Sequence, residues 1–174
     1  MEKVLITGSA GFIGGYLVDE LLNQGYSVIG LDNLSKYGRV SRSFDENPHY
    51  RFVQGDAADV SLLEELLKDC DHFIASAALI GGISYFHKYA YDLMATNERI
   101  LAATFDAAIK SMNNGLKRII VLSSSMVFEN TDIYPTPESE VLNAPPPSST
   151  YGFQKLASEY FAKGAWEQYK LPYT

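Results

Sequence analysis

Three glycines follow a short apolar run at the start of the chain, and they constrain its fold more than any other feature. Residues 4–6 are apolar, and Gly8, Gly11 and Gly14 then follow at G-x-x-G-x-x-G spacing, which differs from the general G-x-G-x-x-G fingerprint. An apolar run ending in glycine predicts a buried strand. Gly8 would permit a tight turn, Gly11 would let the backbone approach a pyrophosphate, and Gly14 would let a helix pack closely on the sheet. A nucleotide-binding turn and an ordinary turn both remain open here.

The rest of the chain alternates between strand and helix patterns. Apolar runs predict further strands at residues 27–31, 50–54, 71–75 and 118–122, and helical periodicity follows the glycines and recurs at residues 61–67, 90–112 and 151–169. The alternation predicts an α/β protein with a doubly wound, Rossmann-like parallel sheet, and residues 1–174 suit one domain. We expect residues 33–49 to form a surface loop and the apolar strand at 118–122 to be buried on both faces.

Composition limits the partners. The chain is 47% hydrophobic and 20% charged, which is typical of a globular protein, and its net charge of −7 argues against nucleic acid or an anionic membrane as partner. The only thiol is Cys70, and His49 and His72 have no neighbouring ligands, so we predict no disulfide and no metal site. The chain begins directly with strand residues and has no bilayer-spanning apolar stretch, from which we expect a cytoplasmic protein.

Two carboxylates follow predicted strands. Asp32 comes about 20 residues after the glycines, where a dinucleotide places its adenosine ribose, and its charge would repel a 2′-phosphate. This position favours NAD over NADP, although an ordinary strand-end turn would also use aspartate. Asp56 follows the third strand and is expected either to accept a hydrogen bond from an adenine amino group or to cap the next helix.

Small and aromatic residues follow the fourth strand. Ser76, Ala77 and Ala78 would allow a cofactor to approach the backbone, and Asn97 lies on the next helix either near the cofactor face or on the surface. Between them, residues 79–93 combine Gly81 and Gly82 with an aromatic set around His87 and Lys88. This segment is either core or a substrate or nicotinamide loop, because ligands of open α/β sheets bind at the strands' carboxyl ends.

The fifth predicted strand ends in serines and precedes a tyrosine and a lysine spaced four apart. Ser124 lies in the serine run, and Tyr151 and Lys155 share one face of the last helix. A lysine ammonium favours the ionised form of a nearby phenol, which can then exchange a proton with a sugar hydroxyl. The combination predicts proton-transfer chemistry at the carboxyl end of the sheet.

Together these motifs resemble the extended short-chain dehydrogenases/reductases, specifically their nucleotide-sugar epimerase and dehydratase branch. The resemblance covers essentially the whole chain and implies a firmly held NAD, a nucleotide-sugar substrate and transient oxidation of a sugar carbon; it also allows a homodimer. It implies that Tyr151 is the base, that Lys155 assists it and holds the nicotinamide ribose, and that Ser124 hydrogen-bonds the reacting oxygen. The implied cofactor contacts are Gly8, Gly11, Phe12, Ile13, Gly14, Asp32, Asp56, Ala57, Ser76, Ala77, Ala78, Asn97, Tyr151 and Lys155.

The sequence departs from the family pattern at several places. Residues 127–129 read Val-Phe-Glu where the family usually has Val-Tyr-Gly, which predicts a different course for the following loop, and Ser76 stands where many members have histidine. Family members usually run to about twice the size of one such domain. We therefore expect this chain to be the cofactor-binding, N-terminal part of a longer enzyme, with a sixth strand beginning near residues 171–174.

The resemblance also bears on the reaction, and it places Gly81, Gly82, Ser125 and Met126 in contact with substrate. Dehydratase relatives carry an Asp-Glu pair where this chain has Ser125 and Met126, and 3,5-epimerising relatives carry a cysteine in place of Met126. A thioether has no proton to exchange. The expected reaction is therefore 4-epimerisation through a 4-keto sugar. A substitute acid within residues 85–91 would restore the dehydratase or 3,5-epimerase alternatives, and a non-catalytic NAD-binding protein also stays open.

Overall fold

The computed structural model describes residues 1–82, 85 and 88–174 of the chain. Within these residues, the chain forms five strands and four α-helices, with no helix between the second and third strands. The strands are β1 (Lys3–Thr7), β2 (Ser27–Asp32), β3 (Tyr50–Gln54), β4 (His72–Ala75) and β5 (Arg118–Val121). The helices are α1 (Phe12–Asn23), α2 (Val60–Leu67), α3 (Ala90–Ser111) and α4 (Thr150–Tyr169), and short 3-10 helices occupy Met112–Asn114, Ser125–Phe128 and Glu138–Leu142. None of the described helices is both long and apolar enough to span a membrane.

All five strands join one parallel sheet in the order β3-β2-β1-β4-β5. The order reverses between β1 and β4, so the connections from the two halves diverge and leave a crevice at the carboxyl ends of the strands. A parallel bridge joins Ile119 of β5 to Tyr173, and the Val121 amide donates to the Thr174 carbonyl oxygen at 2.9 Å. The predicted doubly wound sheet is confirmed, whereas the pairing of Tyr173 with Ile119 is an isolated bridge and the sixth strand stays a prediction.

Two apolar clusters form on opposite faces of the sheet because successive strand residues point to opposite sides. Leu5, Phe73 and Ile119 are fully buried on the face covered by α2, α3 and α4. Val4 and Ile6 pack on the other face, which α1 covers. Alternating residues of a single strand thus hold both layers in place.

β5 differs from the prediction of burial on both faces. Ile119 is completely buried, whereas Ile120 and Val121 are only partly buried. α1 contacts β1 and β2, so it lies at the other half of the sheet. Ile120 packs on the α1 side and Val121 on the opposite side, so among the described residues both faces of β5 have less cover near its carboxyl end than the apolar sequence predicted.

Residues 33–49 also differ from the prediction of a simple surface loop. Phe44 is buried and its ring meets Tyr50 edge-on, with the centroids 5.0 Å apart. The Arg42 Nη2 atom lies 3.4 Å from the carbonyl oxygens of Ala10 and Gly11. Phe44 thus anchors the loop to the core, and Arg42 anchors it to the glycine turn.

The glycine turn between β1 and α1 is a close approach of backbone to backbone. Gly8 has φ of +74°, in the left-handed region, and its amide donates to the Leu31 carbonyl oxygen at 2.8 Å. A Cβ atom on Gly14 would lie 2.1 Å from the Gly8 carbonyl oxygen. Gly14 is therefore required by the turn itself, whereas the sequence suggested only that it helps the helix to pack on the sheet.

We predict that Gly14→Ala destabilises the protein by about 3 kcal/mol, because the added methyl group overlaps backbone that cannot move independently. Chemical unfolding followed by circular dichroism measures this change.

The matched control is Gly164→Ala, in the middle of α4, where an added Cβ would meet no atom within 4 Å. This variant should gain about 0.5–1 kcal/mol from the lower conformational entropy of the unfolded chain. Equal stability of the two variants would contradict the steric explanation.

Candidate active site

A cavity of about 640 Å³ lies at the carboxyl ends of the first four strands. The loops that follow β1, β2, β3 and β4 all contribute to its walls. It is lined by most of the predicted cofactor contacts, namely Gly8, Gly11, Phe12, Ile13, Gly14, Asp32, Asp56, Ala57, Ser76, Ala77 and Ala78. The remaining predicted contacts, Asn97, Tyr151 and Lys155, are not part of this lining.

The first turn of α1 faces this cavity with its backbone amides. Gly11 is the N-cap residue, no side chain caps the helix, and its first turn contains no acidic residue. The first amides of a helix have no acceptor within the helix, and they carry the positive end of its dipole. The turn can therefore accept an anionic group such as a phosphate.

Asp32 lies at the end of β2 with its carboxylate held by two backbone amides. One oxygen accepts from the Ala10 amide at 3.0 Å and the other from the Leu34 amide at 2.7 Å. These bonds fix the carboxylate beside the glycine turn. Each oxygen retains a further lone pair that can accept a hydrogen bond from a ribose hydroxyl.

Asp56 borders the cavity, and α2 is capped by a different residue. The Asp56 carboxylate accepts a hydrogen bond from the Ala58 amide at 2.9 Å, two residues along the chain. The cap of α2 is Asp59, whose side chain accepts from the Leu62 amide at 3.1 Å. The alternative that Asp56 caps this helix is therefore wrong.

Ser76 ties the end of β4 to the end of β1. Its hydroxyl donates to the Thr7 carbonyl oxygen at 2.5 Å, and the Ala77 amide donates to the Thr7 hydroxyl oxygen at 3.2 Å. This pair of bonds continues the contact between the two strands beyond their last ladder bond. The small residues that follow Ser76 are thereby held against the glycine turn.

Asn97 holds the loop after β4 and does not lie on the surface. Its amide nitrogen donates to the Leu79 carbonyl oxygen at 2.9 Å, its amide oxygen accepts from the Leu79 amide at 2.7 Å, and the residue is buried. The alternative of a surface residue is therefore wrong, and a contact between Asn97 and the cofactor stays a prediction. Leu79 lines the cavity together with Thr96 and Ile100, so Asn97 supports the wall from behind.

The glycine pair after β4 has two different environments. A Cβ on Gly81 would meet the ring of Tyr85 at 2.4 Å, whereas one on Gly82 would meet nothing within 4 Å. Tyr85 lines the cavity, and its ring contacts that of Tyr89. His87, which the sequence also singled out, lies outside the described residues, as do residues 83, 84 and 86.

The serine run after β5 begins a short 3-10 helix. The Ser124 hydroxyl oxygen accepts from the Met126 amide at 3.2 Å and so caps the 3-10 helix Ser125–Phe128. Ser125 is exposed and Met126 is partly buried at the start of this helix. Tyr151 is 8% exposed and is the second residue of α4.

Lys155 ties α4 to the end of β5. Its Nζ atom donates to the Leu122 carbonyl oxygen at 2.6 Å. Burial lowers the pKa of Lys155 from its usual value, because the ammonium group loses hydration. One turn later, Glu159 accepts a hydrogen bond from the Ser123 hydroxyl at 2.5 Å. Two successive residues after β5 are therefore bound by two successive turns of α4.

Sequence reasoning missed part of the cavity wall and one partly buried cation. Residues 33–38, Thr96 and Ile100 line the cavity without having been predicted to do so, whereas Tyr85 belongs to the aromatic set that the sequence singled out. The guanidinium of Arg42 packs behind the glycine turn, and a Cβ on Gly15 would lie 3.0 Å from its Cζ atom. The position of residues 33–38 directly after Asp32 could have indicated their role, but no sequence signal marked Arg42.

Comparison with known proteins places this geometry in a family. The profile of the NAD dependent epimerase/dehydratase family matches residues 4–174. The chain is 30% identical over 162 residues to a putative UDP-glucose 4-epimerase of Methanocaldococcus jannaschii, covering 92% of this chain and 50% of that protein. It is 27% identical to human dTDP-D-glucose 4,6-dehydratase, covering 98% of this chain and 49% of that protein.

Solved structures agree with the sequence comparison. UDP-glucose 4-epimerase from Brucella ovis in complex with NAD superposes with a TM-score of 0.83 at 28% identity, over 99% of this chain and 50% of that chain. UDP-N-acetylglucosamine 4-epimerase from Methanobrevibacter ruminantium superposes with a TM-score of 0.84 at 30% identity, over 99% and 53%. The chain spans about half the length of the relatives it matches, and it belongs to the NAD-dependent epimerase/dehydratase family, within the extended short-chain dehydrogenases/reductases.

Proposed function

We propose that this chain binds NAD in the crevice and forms the cofactor-binding part of a nucleotide-sugar 4-epimerase. The observation that carries the proposal is the placement of Ser124, Tyr151 and Lys155 at the end of β5 and the start of α4, on the sheet edge that also holds the glycine turn. A protein that only bound NAD would need the glycine turn but would not need these three residues. The added serine, tyrosine and lysine supply groups for proton transfer.

The residues around the cavity fit a dinucleotide. The turn at Gly8 and Gly14 is a cradle in which any added Cβ would meet backbone, which leaves the amides at the start of α1 accessible to a pyrophosphate. Asp32 lies beside this turn with free lone pairs for the ribose hydroxyls. Asp56 lines the same cavity and would contact the adenine amino group.

The roles proposed for the reacting residues are those that the family resemblance implies. Tyr151 would take a proton from the sugar O4 hydroxyl and later return it, and the Lys155 ammonium would stabilise the ionised phenol. Ser124 would donate a hydrogen bond to the reacting oxygen. When bound, NAD would supply a reversible acceptor for the hydride of C4. In the structure, the Lys155 ammonium donates a hydrogen bond to the Leu122 carbonyl oxygen, which holds the ammonium near the end of β5.

Epimerisation at C4 is favoured because it needs no further acid or base. Ser125 and Met126 follow Ser124 directly, and neither side chain ionises near neutral pH. Lys88, one of the substitute acids considered above, is exposed, with its Nζ atom 5.2 Å from the centre of the Tyr89 ring. Several relatives are named as UDP-glucose 4-epimerases, which supports the same reaction and a nucleotide-sugar substrate.

We also propose that a substrate-binding half accompanies this chain in a longer protein. The relatives are about twice as long, and the side of β5 away from α4 is incompletely covered by described residues. A cytoplasmic location is part of the proposal, supported by the free, buried thiol of Cys70. Turnover should therefore be measured with the full-length protein, whereas cofactor binding can be measured with the 174-residue chain.

We predict that the chain binds NAD at least about tenfold more tightly than NADP, a difference of about 1.4 kcal/mol, because Asp32 repels the 2′-phosphate. Isothermal titration calorimetry with both cofactors measures the ratio. Asp32→Ala should reduce the ratio toward one. Asp59→Asn, at the cap of α2, should leave both affinities unchanged; equal affinities in the wild type would refute the role of Asp32.

We predict that the full-length protein, working in deuterated water, forms product without carbon-bound deuterium. The hydrogen removed from C4 returns to the same carbon without exchanging with solvent, whereas dehydration or 3,5-epimerisation exchanges hydrogens at carbons next to the ketone. Mass spectrometry and NMR of the recovered sugar nucleotide detect the label. Deuterium at C3 or C5 would contradict 4-epimerisation.

Tyr151→Phe is the control for this experiment. It removes the ionisable oxygen alone, so turnover should fall by at least about 100-fold while NAD still binds. A variant with turnover near that of the wild type would show that another group is the base. Absence of any turnover in the wild type, with NAD bound, would favour the non-catalytic alternative.

We propose that two copies pair through α4 and predict a dimer of twice the 19.3 kDa chain mass. Phe153 and Tyr160 lie two turns apart on this helix and are 45% and 64% exposed. Sedimentation equilibrium of the wild type and of Tyr160→Glu tests this. The variant should be a monomer, and a monomeric wild type would refute the proposal.

A further inference from the structure

The helix that carries Tyr151 and Lys155 begins with half of a capping box. Ser149 is the N-cap of α4, and its hydroxyl oxygen accepts from the Gly152 amide at 3.0 Å. In a complete capping box, the residue three positions after the cap is Glu or Gln, and its side chain accepts from the amide of the cap residue. Here that position is Gly152, so the helix itself cannot supply the second bond.

Packing explains why the position is glycine. A Cβ on Gly152 would lie 2.7 Å from the Met126 carbonyl oxygen and 2.7 Å from the Pro147 Cβ atom. The Met126 carbonyl also accepts from the Glu129 amide at 3.2 Å, which fixes its place in the 3-10 helix Ser125–Phe128. The start of α4 lies directly on this 3-10 helix, and no side chain fits between them.

Glu129 supplies the missing half of the cap from 20 residues away. Its Oε2 atom accepts from the Ser149 amide at 2.8 Å. A carboxylate at this place also interacts favourably with the positive end of the α4 dipole. Residue 129 is one of the positions at which the sequence departs from the usual Val-Tyr-Gly of the family, and a glycine there could not make this contact.

Asn130, the next residue, binds the segment that leads into α4. The Asn130 Nδ2 atom donates to the Pro146 carbonyl oxygen at 2.7 Å and to the Ser148 hydroxyl oxygen at 2.9 Å. Two consecutive side chains therefore hold the last residues before α4. These contacts hold the loop that follows residues 127–129; its different course from the family stays a prediction.

We propose that Glu129 is a positioning residue, which completes the cap of α4 and thereby holds Tyr151 and Lys155 in register with Ser124. Glu129 directly follows the 3-10 helix that Ser124 caps, and it binds the residue two places before Tyr151. One side chain thus joins the two segments that carry the reacting groups. The consequence for catalysis rests on the function proposed above, whereas the cap itself does not.

The test compares Glu129→Ala, Glu129→Gln and Asp59→Ala. Asp59→Ala removes the cap of α2, away from Tyr151 and Lys155, and is the matched control for a general loss of stability. In the full-length protein, Glu129→Ala should lower kcat about tenfold and change the substrate KM by less than about twofold, because the reacting groups and not the binding surface are displaced. Glu129→Gln should restore most of kcat, since its amide oxygen can accept from the Ser149 amide.

Hydrogen exchange of the 174-residue chain provides a readout that does not need turnover. Glu129→Ala should speed exchange of the Ser149 and Gly152 amides by about tenfold, whereas Asp59→Ala should speed exchange at Leu62 and leave the α4 amides unchanged. Equal kcat values for Glu129→Ala and the wild type, or equal losses in Glu129→Ala and Asp59→Ala, would overturn the proposal.

If Glu129→Ala does not fold, Glu129→Asp takes its place, because it keeps the charge and shortens the reach by one methylene. This variant must then show the loss of kcat, and wild-type kcat would overturn the proposal. A wild-type protein that binds no NAD would instead refute the proposed function. If hydrogen exchange of the Ser149 amide is as slow in Glu129→Ala or Glu129→Asp as in the wild type, the cap is refuted, whatever the kcat values are.

Discussion

Close packing of backbone against backbone at the first turns of α1 and α4 is the constraint on which the candidate site depends. At α1, Gly14 lies so near the Gly8 carbonyl that a methyl group would overlap it. At α4, Gly152 lies in the same way against the Met126 carbonyl. Both contacts bring the positive dipole end of a helix to the carboxyl edge of the sheet. The first amides of α1 have no side-chain cap, whereas those of α4 are capped by Ser149 and Glu129. The cofactor crevice and the reacting residues therefore both depend on a glycine in the first turn of a helix.

Side-chain hydrogen bonds then fix the segments that leave the sheet at this edge. Beyond the last ladder bond, the backbone groups of a strand need other partners. Asn97 provides them for Leu79 after β4, and Lys155 provides one for Leu122 after β5. In each case the partner lies on the helix that follows the strand. A polar residue on a helix thereby positions the loop in front of it, and the loop held by Asn97 forms part of the cavity wall.

The sheet is unequally covered, and this bears on the proposed second half of the protein. Leu5, Phe73 and Ile119 are buried under three helices, whereas Ile120, on the opposite face, stays partly buried. Apolar strand residues are stabilised by removal from water, at about 25 cal/mol per Å² of apolar surface. A further layer on this side of β5 would bury more of that surface, which agrees with relatives of about twice the length.

The sequence by itself determined the alternation of strands and helices, the parallel sheet and the positions of Gly8, Asp32, Tyr151 and Lys155, because each depends on local periodicity or on spacing within one strand–helix unit. The tertiary structure alone decided how Asn97, Arg42, Glu129 and Asp56 are used. Asn97 braces Leu79, Arg42 packs behind the glycine turn, Glu129 caps α4, and Asp56 leaves the cap of α2 to Asp59. The first three contacts join residues 18 to 32 positions apart, and no local pattern encodes which distant backbone group a polar side chain will meet.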